Sequence, residues 1–330
     1  MSGDLVHGGA IDQMRQAFPA APEPWIDLST GINPWPYPCT DLSRRALAHL
    51  PTASMYQACQ YAMAEAFGAA PEALLLSPGS ELLIRLLPDI LQSRRIAILS
   101  PTYSDHASAW KRVGAEILLT PDPLELADRV EAIVVCNPNN PDGRVFDMDA
   151  LEAARAKLAA RGGWLIVDEA YADLLPSLSL TPRAGRDGLI VLRSFGKFFG
   201  LAGVRLGAML APRAVREAMA EKLGTWPVSG AALEIGARAY ADRDWQNQMR
   251  RNLSVGANEL RSELMAAGLT VLGSTDLFCF VETEDAHAVF HRLAFEGVYV
   301  RRFDWSNQHL RIGLPATPEA QERLRDALSL

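Results

Sequence analysis

Cysteine is scarce in this chain of 330 residues, and its four cysteines lie far apart. None forms a C-x-x-C pair, so the sequence indicates neither a zinc site nor a disulfide framework. His287 and His291 are four residues apart on a predicted helix, but no further histidine or cysteine stands at ligand spacing. We therefore predict no metal site.

The chain also lacks basic clusters and long apolar runs. Its formal net charge is −7, and its basic residues form nothing longer than doublets such as Arg301-Arg302. This charge distribution argues against a nucleic-acid partner. No run approaches the roughly 18 apolar residues that cross a membrane, and residues 1–16 hold neither a basic nor an apolar segment. We therefore expect a cytoplasmic protein with no membrane partner.

The sequence does contain a regular alternation of short apolar runs and helix-like segments. Hydrophobic residues make up 49% of the chain and charged residues 22%, which is typical of a folded globular protein. The alternation predicts an α/β fold with a mostly parallel sheet and helices on both faces. The predicted strands are 73–76, 95–100, 116–120, 132–136, 164–168, 189–194 and 206–210.

The rest of the sequence predicts a smaller α+β domain and an irregular arm. Residues 212–268 are helical in character, and the first 50 or so residues are rich in proline and glycine. Further short strands are predicted at 270–272, 277–281, 298–301 and 309–312, around a helix near 285–296. The predicted division is an amino-terminal arm at 1–40, a large domain at 41–212 and a small domain at 213–330.

One glycine-rich segment, 194–207, places Lys197 eight residues before Arg205. Lys197 follows the predicted strand 189–194, and open α/β sheets bind ligands beyond the carboxyl ends of their strands. A lysine that is partly desolvated there favours the free amine, which can form a Schiff base with a carbonyl. Arg205 and the Ser194 hydroxyl are candidates to hold a phosphate. On this segment alone, an ordinary solvated loop lysine remains the alternative.

Two further strand ends supply groups suited to a flat, phosphorylated ring. The turn at Gly79 and Ser80 opens a predicted helix, so it can bind an anion through free amide groups and the helix dipole. A plain helix cap is the alternative. Tyr103 follows the strand 95–100, where it can stack on a ring or pack on its neighbours.

Two more strand ends complete the pattern. The turn 137–143 (Asn-Pro-Asn-Asn-Pro-Asp-Gly) carries amides, including Asn140, that can donate to a phenolate oxygen. Asp168 ends an apolar strand and is costly to bury without a cationic partner, which is either a protonated ring nitrogen or a core arginine. Tyr171, three residues on, can reach a ring oxygen. All these groups are predicted at one sheet edge.

With these motifs the chain resembles the fold-type I, aspartate-aminotransferase-like enzymes that use pyridoxal 5'-phosphate, from about residue 27 to 325. The resemblance implies that Lys197 carries the cofactor covalently and that Asp168 pairs with the ring nitrogen. It implies ring contacts from Tyr103, Asn140 and Tyr171, and phosphate contacts from Gly79, Ser80, Ser194 and Arg205. Tyr56 resembles the tyrosine that reaches the neighbouring subunit's cofactor, which implies a homodimer.

The amino-terminal arm indicates which enzymes within this family the chain resembles most. His7-Gly8-Gly9 and the segment 25–34 resemble the opening of threonine-phosphate decarboxylases of cobalamin biosynthesis, whose substrate carries a carboxylate and a phosphate. Histidinol-phosphate aminotransferases share the Asn33-Pro34 part but generally lack the His-Gly-Gly start. The resemblance implies decarboxylation of L-threonine O-3-phosphate to (R)-1-amino-2-propanol O-2-phosphate. The residues then expected to bind the substrate are His7, Asn33, Asn140, Arg301 and Arg311.

Two alternatives remain at this point. A histidinol-phosphate type of aminotransferase needs the same residue types and differs in substrate pose. A non-catalytic binding domain, as in some transcriptional regulators, would keep the fold and is expected with an appended DNA-binding segment, which the sequence does not indicate.

Overall fold

A computed structural model describes residues 8–329 of the chain. It contains two compact units. The sheet unit comprises Tyr37–Asn140 and Arg144–Asn247, and the terminal unit comprises residues up to Pro36, Pro141–Gly143 and residues from Gln248 onward. Among the described residues, no helix is long and apolar enough to cross a membrane.

The α-helices and β-strands are numbered here in chain order. The helices are α1 (Ile11–Ala17), α2 (Arg44–Ala48), α3 (Ala53–Phe67), α4 (Ser80–Leu91), α5 (Ser104–Arg112), α6 (Met148–Ala159), α7 (Arg213–Leu223), α8 (Gly230–Ala241), α9 (Arg243–Ala266), α10 (Ala286–Phe295) and α11 (Pro318–Ser329). The strands are β1 (Ile26–Asp27), β2 (Leu74–Ser77), β3 (Arg95–Leu99), β4 (Glu116–Thr120), β5 (Ala132–Cys136), β6 (Trp164–Asp168), β7 (Leu189–Ser194), β8 (Gly207–Leu210), β9 (Thr270–Thr275), β10 (Phe278–Glu282), β11 (Val298–Tyr299), β12 (Arg301–Phe303) and β13 (Ser306–Gly313).

A seven-stranded sheet in the order β2-β8-β7-β6-β5-β3-β4 forms the centre of the sheet unit. The five strands from β7 to β4 pair in parallel, whereas β8 runs antiparallel to both β2 and β7. The predicted α/β fold with a mostly parallel sheet is therefore confirmed. Strand β5 is buried at every position, which explains why its sequence is continuously apolar rather than alternating.

Helices cover this sheet and bury its core. Residues of α4, α5 and α7, such as Leu83, Trp110 and Met219, pack together with Ile98 and Val134 of the strands. The helices α3 and α8 also pack closely on one another. Residues 213–247 thus belong to the sheet unit, whereas the sequence predicts them in the small domain. The difference arises because α7 and α8 bury their apolar faces against α4 and α3.

The terminal unit contains a four-stranded antiparallel sheet in the order β12-β13-β10-β9. Helix α10 packs on β13, as an α+β arrangement requires. The predicted arm is more regular than expected, since it contains α1 and β1. Strand β1 pairs in parallel with β11, with Ile26 opposite Val298, and this pairing attaches the arm to the terminal unit.

Candidate active site

The register of the parallel strands aligns the predicted chemical groups of the sheet unit at one edge. Asp168 at the end of β6 stands opposite Cys136 at the end of β5 and opposite Leu192 near the end of β7. The turn that follows β5 and the lysine segment that follows β7 therefore leave the sheet beside Asp168. This is the edge at which open α/β sheets bind ligands.

The carboxylate of Asp168 is buried and hydrogen-bonded to a histidine. Its Oδ2 lies 3.0 Å from Nε2 of His106, and its Oδ1 accepts a hydrogen bond from the Ala170 amide at 3.1 Å. Burial opposes charge on His106, but hydrogen bonds to Asp168 and Cys136 raise its pKa to about 10. A buried positive charge therefore stands beside the Asp168 carboxylate at neutral pH.

His106 is a site residue that the sequence analysis does not predict. It lies one helical turn after Tyr103, but this spacing alone does not indicate that its ring reaches Asp168. The donor atoms of His106, Cys136 and Asp168 all lie within 4.8 Å of one another. A metal ligand must offer a lone pair, which an imidazolium that donates to both neighbours does not have. We therefore interpret this group as a hydrogen-bonded relay to Asp168.

The turn before α4 and Arg205 form an anion cradle, defined here as Gly79, Ser80, Arg205 and Gly207. Gly79 has a φ of 87°, and a Cβ there would lie 2.7 Å from the Arg205 guanidinium. A Cβ at Gly207 would lie 2.7 Å from the amide nitrogen of Ser80. The two glycines thus allow the guanidinium and the helix amides to approach each other closely. Such a combination favours a phosphate.

Ser194 and Lys197 lie beside this cradle. Ser194 is the cross-strand partner of Gly207 in the pairing of β7 with β8. Lys197 is half-buried in the turn that follows, in which the Gly200 amide donates to the Lys197 carbonyl at 3.3 Å. A Cβ at Gly196 would lie 2.7 Å from Cα of Ala202, so this turn requires a glycine next to the lysine.

Tyr103, Asn140 and Tyr171 lie on loops that hydrogen bonds connect. The Asn139 side-chain amide donates to the Pro101 carbonyl at 3.0 Å and accepts from the Thr102 hydroxyl at 2.7 Å. These bonds tie the turn containing Asn140 to the segment containing Tyr103. Tyr171 is buried in the turn after Asp168, and the Tyr103 ring meets the His106 ring edge-on at 6.2 Å.

Tyr56 lies on α3, and its hydroxyl is bonded within its own subunit. It accepts from the Val228 amide at 3.0 Å and donates to the Val228 carbonyl at 3.2 Å. It lines a mostly apolar cleft of about 270 Å³ together with the Leu74–Leu76 run, Trp226 and Pro227. Burial raises the pKa of Tyr56, so the residue is a neutral phenol.

Two of the predicted substrate residues are paired in the terminal unit. Arg301 on β12 stands directly opposite Arg311 on β13. Arg311 is buried, donates to the Ser29 carbonyl at 2.5 Å and lies over the Phe278 ring at 5.0 Å. The neighbouring Arg302, which alternates to the other face, contacts His287 instead. Arg301 and Arg311 therefore form a pair of neighbouring cations, and Arg302 is not part of that pair.

The glycine motif near the amino terminus packs beside Arg311 in the same unit. A Cβ at Gly8 would lie 2.6 Å from the Ser29 carbonyl oxygen, and the Gly9 amide donates to the Ser29 hydroxyl at 2.9 Å. Both glycines thus bring the arm against the same serine that Arg311 contacts. Asn33 is buried, and its side chain accepts from the Trp35 amide at 2.8 Å. His7 lies outside the described residues.

A family model for aminotransferases of class I and II matches residues 20–328. The chain belongs to this family. The threonine-phosphate decarboxylase of Pseudomonas aeruginosa is 38% identical over 329 residues, which cover 98% of this chain and 97% of that protein. A threonine-phosphate decarboxylase from a Sinorhizobium species is also 38% identical, and the match covers 100% of this chain and 99% of that protein. A histidinol-phosphate aminotransferase of Moorella thermoacetica is 28% identical, and the match covers 74% of this chain and 69% of that protein.

Solved structures of the family share the fold. The histidinol-phosphate aminotransferase of Sinorhizobium meliloti, in complex with pyridoxal-5'-phosphate, superimposes with a TM-score of 0.82 at 19% identity, over 100% of this chain and 98% of that one. The L-threonine-O-3-phosphate decarboxylase of Porphyromonas gingivalis gives a TM-score of 0.76 at 18% identity, over 91% and 97%. At these identities the structural likenesses establish the fold alone, and the activity has to be argued from the residues of the site.

Proposed function

We propose that this chain is a pyridoxal-phosphate-dependent threonine-phosphate decarboxylase. It converts L-threonine O-3-phosphate to (R)-1-amino-2-propanol O-2-phosphate and carbon dioxide, a reaction of cobalamin biosynthesis. The observation that carries the proposal is the 38% identity, over the full length, to two relatives of that name. The aminotransferase relative is less similar and covers about three-quarters of the chain.

The residues of the sheet unit fit the cofactor. The anion cradle and Ser194 would hold its phosphate, because guanidinium, hydroxyl and helix amides all donate to phosphate oxygens. Lys197 would hold the cofactor covalently, and Asp168, which His106 positions, would keep a proton on the ring nitrogen. When bound, the ring supplies an electron sink for a bond broken at the substrate's Cα. Tyr103 would stack on the ring, while Asn140 and Tyr171 would bond its oxygen.

The terminal unit supplies the charges that this substrate needs. A phosphorylated amino acid carries a carboxylate and a phosphate, and a guanidinium fork matches both geometries. We assign Arg301 and Arg311 to these anions because they are adjacent on the sheet. Asn33, Asn140 and His7 are proposed as further hydrogen-bonding partners of the substrate.

Lys197 is the group we assign to proton transfer at Cα. With the substrate in place, the Lys197 side chain would act as the ammonium that donates to Cα the proton replacing the departed carboxylate. A decarboxylase must hold the Cα–carboxylate bond, rather than Cα–H, perpendicular to the ring. Binding the carboxylate and phosphate of the substrate together sets that orientation.

Incubation with O-phosphothreonine in the absence of any oxo acid tests the proposal. We expect carbon dioxide and aminopropanol phosphate in equal amounts, and no product with Lys197→Ala. Histidinol phosphate with 2-oxoglutarate should give no turnover. Ketone formation that depends on the oxo acid would overturn the proposal in favour of an aminotransferase.

We further propose that the protein is a cytoplasmic homodimer with sites shared between subunits. The cleft around Tyr56 supports the dimer, because its walls are mostly apolar and Trp226 at its rim is 54% exposed. The four cysteines are free thiols, as is usual in the reducing cytoplasm.

A further inference from the structure

Two carboxyl groups meet at the hydroxyl of Tyr103. The hydroxyl lies 3.0 Å from Oε2 of Glu81 on α4 and 3.2 Å from Oδ2 of Asp105 on α5. Glu81 is the residue that follows Ser80 of the anion cradle, and Asp105 is buried. The helices α4 and α5 pack on each other at this point.

The Tyr103 hydroxyl cannot supply a proton to both carboxyl groups. A phenol carries one proton, so it can donate to only one of the two carboxyl oxygens. The second contact is favourable if the other carboxyl carries a proton of its own, since two carboxylates held at the same hydroxyl repel each other. The two contacts of the Tyr103 hydroxyl, together with the hydrogen bond between Glu81 and Asp105, therefore require one proton beyond that of the phenol.

The surrounding charges agree with a retained proton. Burial, and the hydrogen bond that protonated Glu81 donates to Asp105, raise the pKa of Glu81, whereas the ion pair with Arg85 and the hydrogen bond from Tyr103 lower it less. Arg85 contacts Glu81 at 2.6 Å and Asp105 at 3.6 Å, but its side chain is 62% exposed and solvated. On α5, His106 faces Tyr103 through its ring, and Arg112 donates to the Arg85 carbonyl at 2.9 Å and pairs with Asp89.

We propose that Glu81 and Asp105 share one proton and act together as positioning residues for Tyr103. The shared proton lets both helices hold the hydroxyl at once, which fixes the plane of the phenol ring. The inference rests on the proposed function for one step only, the stacking of Tyr103 on the cofactor. As the pH rises and this proton is lost, the Glu81 and Asp105 carboxylates would repel each other. The Tyr103 ring would then be held less firmly.

The direction of the pH effect follows from the raised pKa of Glu81. The folded protein binds more protons than the unfolded chain between the ordinary pKa of a glutamate and the raised value. The stabilising contribution is thus complete at low pH and disappears as the pH rises through the raised pKa. Glu81→Gln should mimic the protonated state at every pH, because its amide both donates to Asp105 and accepts from Tyr103.

Infrared titration of the holoenzyme tests the shared proton. We expect a protonated carboxyl band that persists above the pH at which ordinary carboxyl groups ionise and that is lost in Glu81→Gln. Burial also raises the pKa of Glu169 and of Asp276, so the band is assigned from the wild-type minus Glu81→Gln difference. An unchanged spectrum in that variant would overturn the proposal.

The rate of cofactor release tests the positioning role. The ratio of the wild-type rate to the Glu81→Gln rate should be near one at low pH and increase several-fold above the titration of Glu81. Tyr103→Phe should abolish this increase. Glu217→Gln is the matched control, because Glu217 forms an exposed i,i+4 pair with Arg213 at the same 2.6 Å, and its ratio to wild type should not change with pH.

A ratio that stays constant with pH would overturn the positioning role even if the infrared band is present. Both measurements need only the holoenzyme with its cofactor. Failure to release carbon dioxide from phosphothreonine would instead overturn the proposed function, and it would leave these two results unaffected.

Discussion

A single buried imidazolium, that of His106, controls the charge next to the proposed ring nitrogen. We predict that His106→Gln lowers stability by about 3–5 kcal/mol, because it leaves the Asp168 carboxylate buried without its cationic partner. The absorbance of the bound cofactor should also titrate at a different pH, because the carboxylate that would face the ring nitrogen loses the positive charge beside it. Thermal unfolding and a spectroscopic pH titration measure the two effects.

The same residue predicts a pH dependence of stability. The folded pKa of His106, about 10, lies above its ordinary value of 6.5, so its contribution is complete below the ordinary value and disappears as the pH rises through about 10. The melting temperature of the wild type should therefore fall over this range more steeply than that of His106→Gln. His291→Gln, on α10, is the control and should follow the wild type. Parallel curves for wild type and His106→Gln would contradict the prediction.

Among the elements, strand β8 meets the turn of the anion cradle at Gly207. A Cβ at Gly207 would lie 2.7 Å from the Ser80 nitrogen and 2.9 Å from the Arg193 carbonyl oxygen, and neither backbone atom can rotate away. We predict that Gly207→Ala costs about 1–3 kcal/mol of stability and weakens cofactor binding roughly tenfold. Fluorescence titration of the apoenzyme with pyridoxal phosphate measures the affinity.

Gly203→Ala is the matched control for Gly207→Ala. It lies in the same segment, and a Cβ there would meet no heavy atom within 4 Å. Its affinity for the cofactor should equal that of the wild type. If both variants bind with wild-type affinity, the close approach at Gly207 does not shape the cradle.

The elements of the sheet could be predicted from sequence because each is a short apolar run between turn residues. The predicted bounds of β5 and β6 agree with the structure at both ends. The predicted strand at 298–301 is instead two strands, β11 and β12, which pair with different partners. A sequence pattern reports burial along one segment and does not identify the segment that buries it.

In the candidate active site, too, the sequence pattern does not identify which segments come into contact. The strand-end positions of Asp168 and Lys197 could be predicted, because Asp168 ends one apolar strand and Lys197 follows another. His106 could not, because its role depends on the fold bringing α5 against the end of β6. The packing of α8 on α3, which are far apart in sequence, likewise determines that residues 213–247 belong with the sheet.

At the scale of the whole molecule, the proposed dimer depends on the segment that contacts Tyr56. Trp226 has a φ of 55°, a conformation that is unfavourable for a bulky residue and persists only where the surroundings impose it. The two hydrogen bonds between Val228 and Tyr56 fix this segment and leave the Trp226 ring at the rim of an apolar cleft. A large aromatic side chain on a fixed backbone is typical of an interface hot spot.

We therefore predict that Trp226→Glu weakens the dimer roughly 30-fold, the equivalent of about 2 kcal/mol for the loss of a hot-spot tryptophan. Sedimentation velocity over a concentration series measures the dissociation constant. Trp305→Glu is the matched control, because Trp305 is also 54% exposed but belongs to the terminal unit, whereas Tyr56 belongs to the sheet unit. Equal dissociation constants for Trp226→Glu and Trp305→Glu would place the subunit contact elsewhere and remove the support for shared sites at Tyr56.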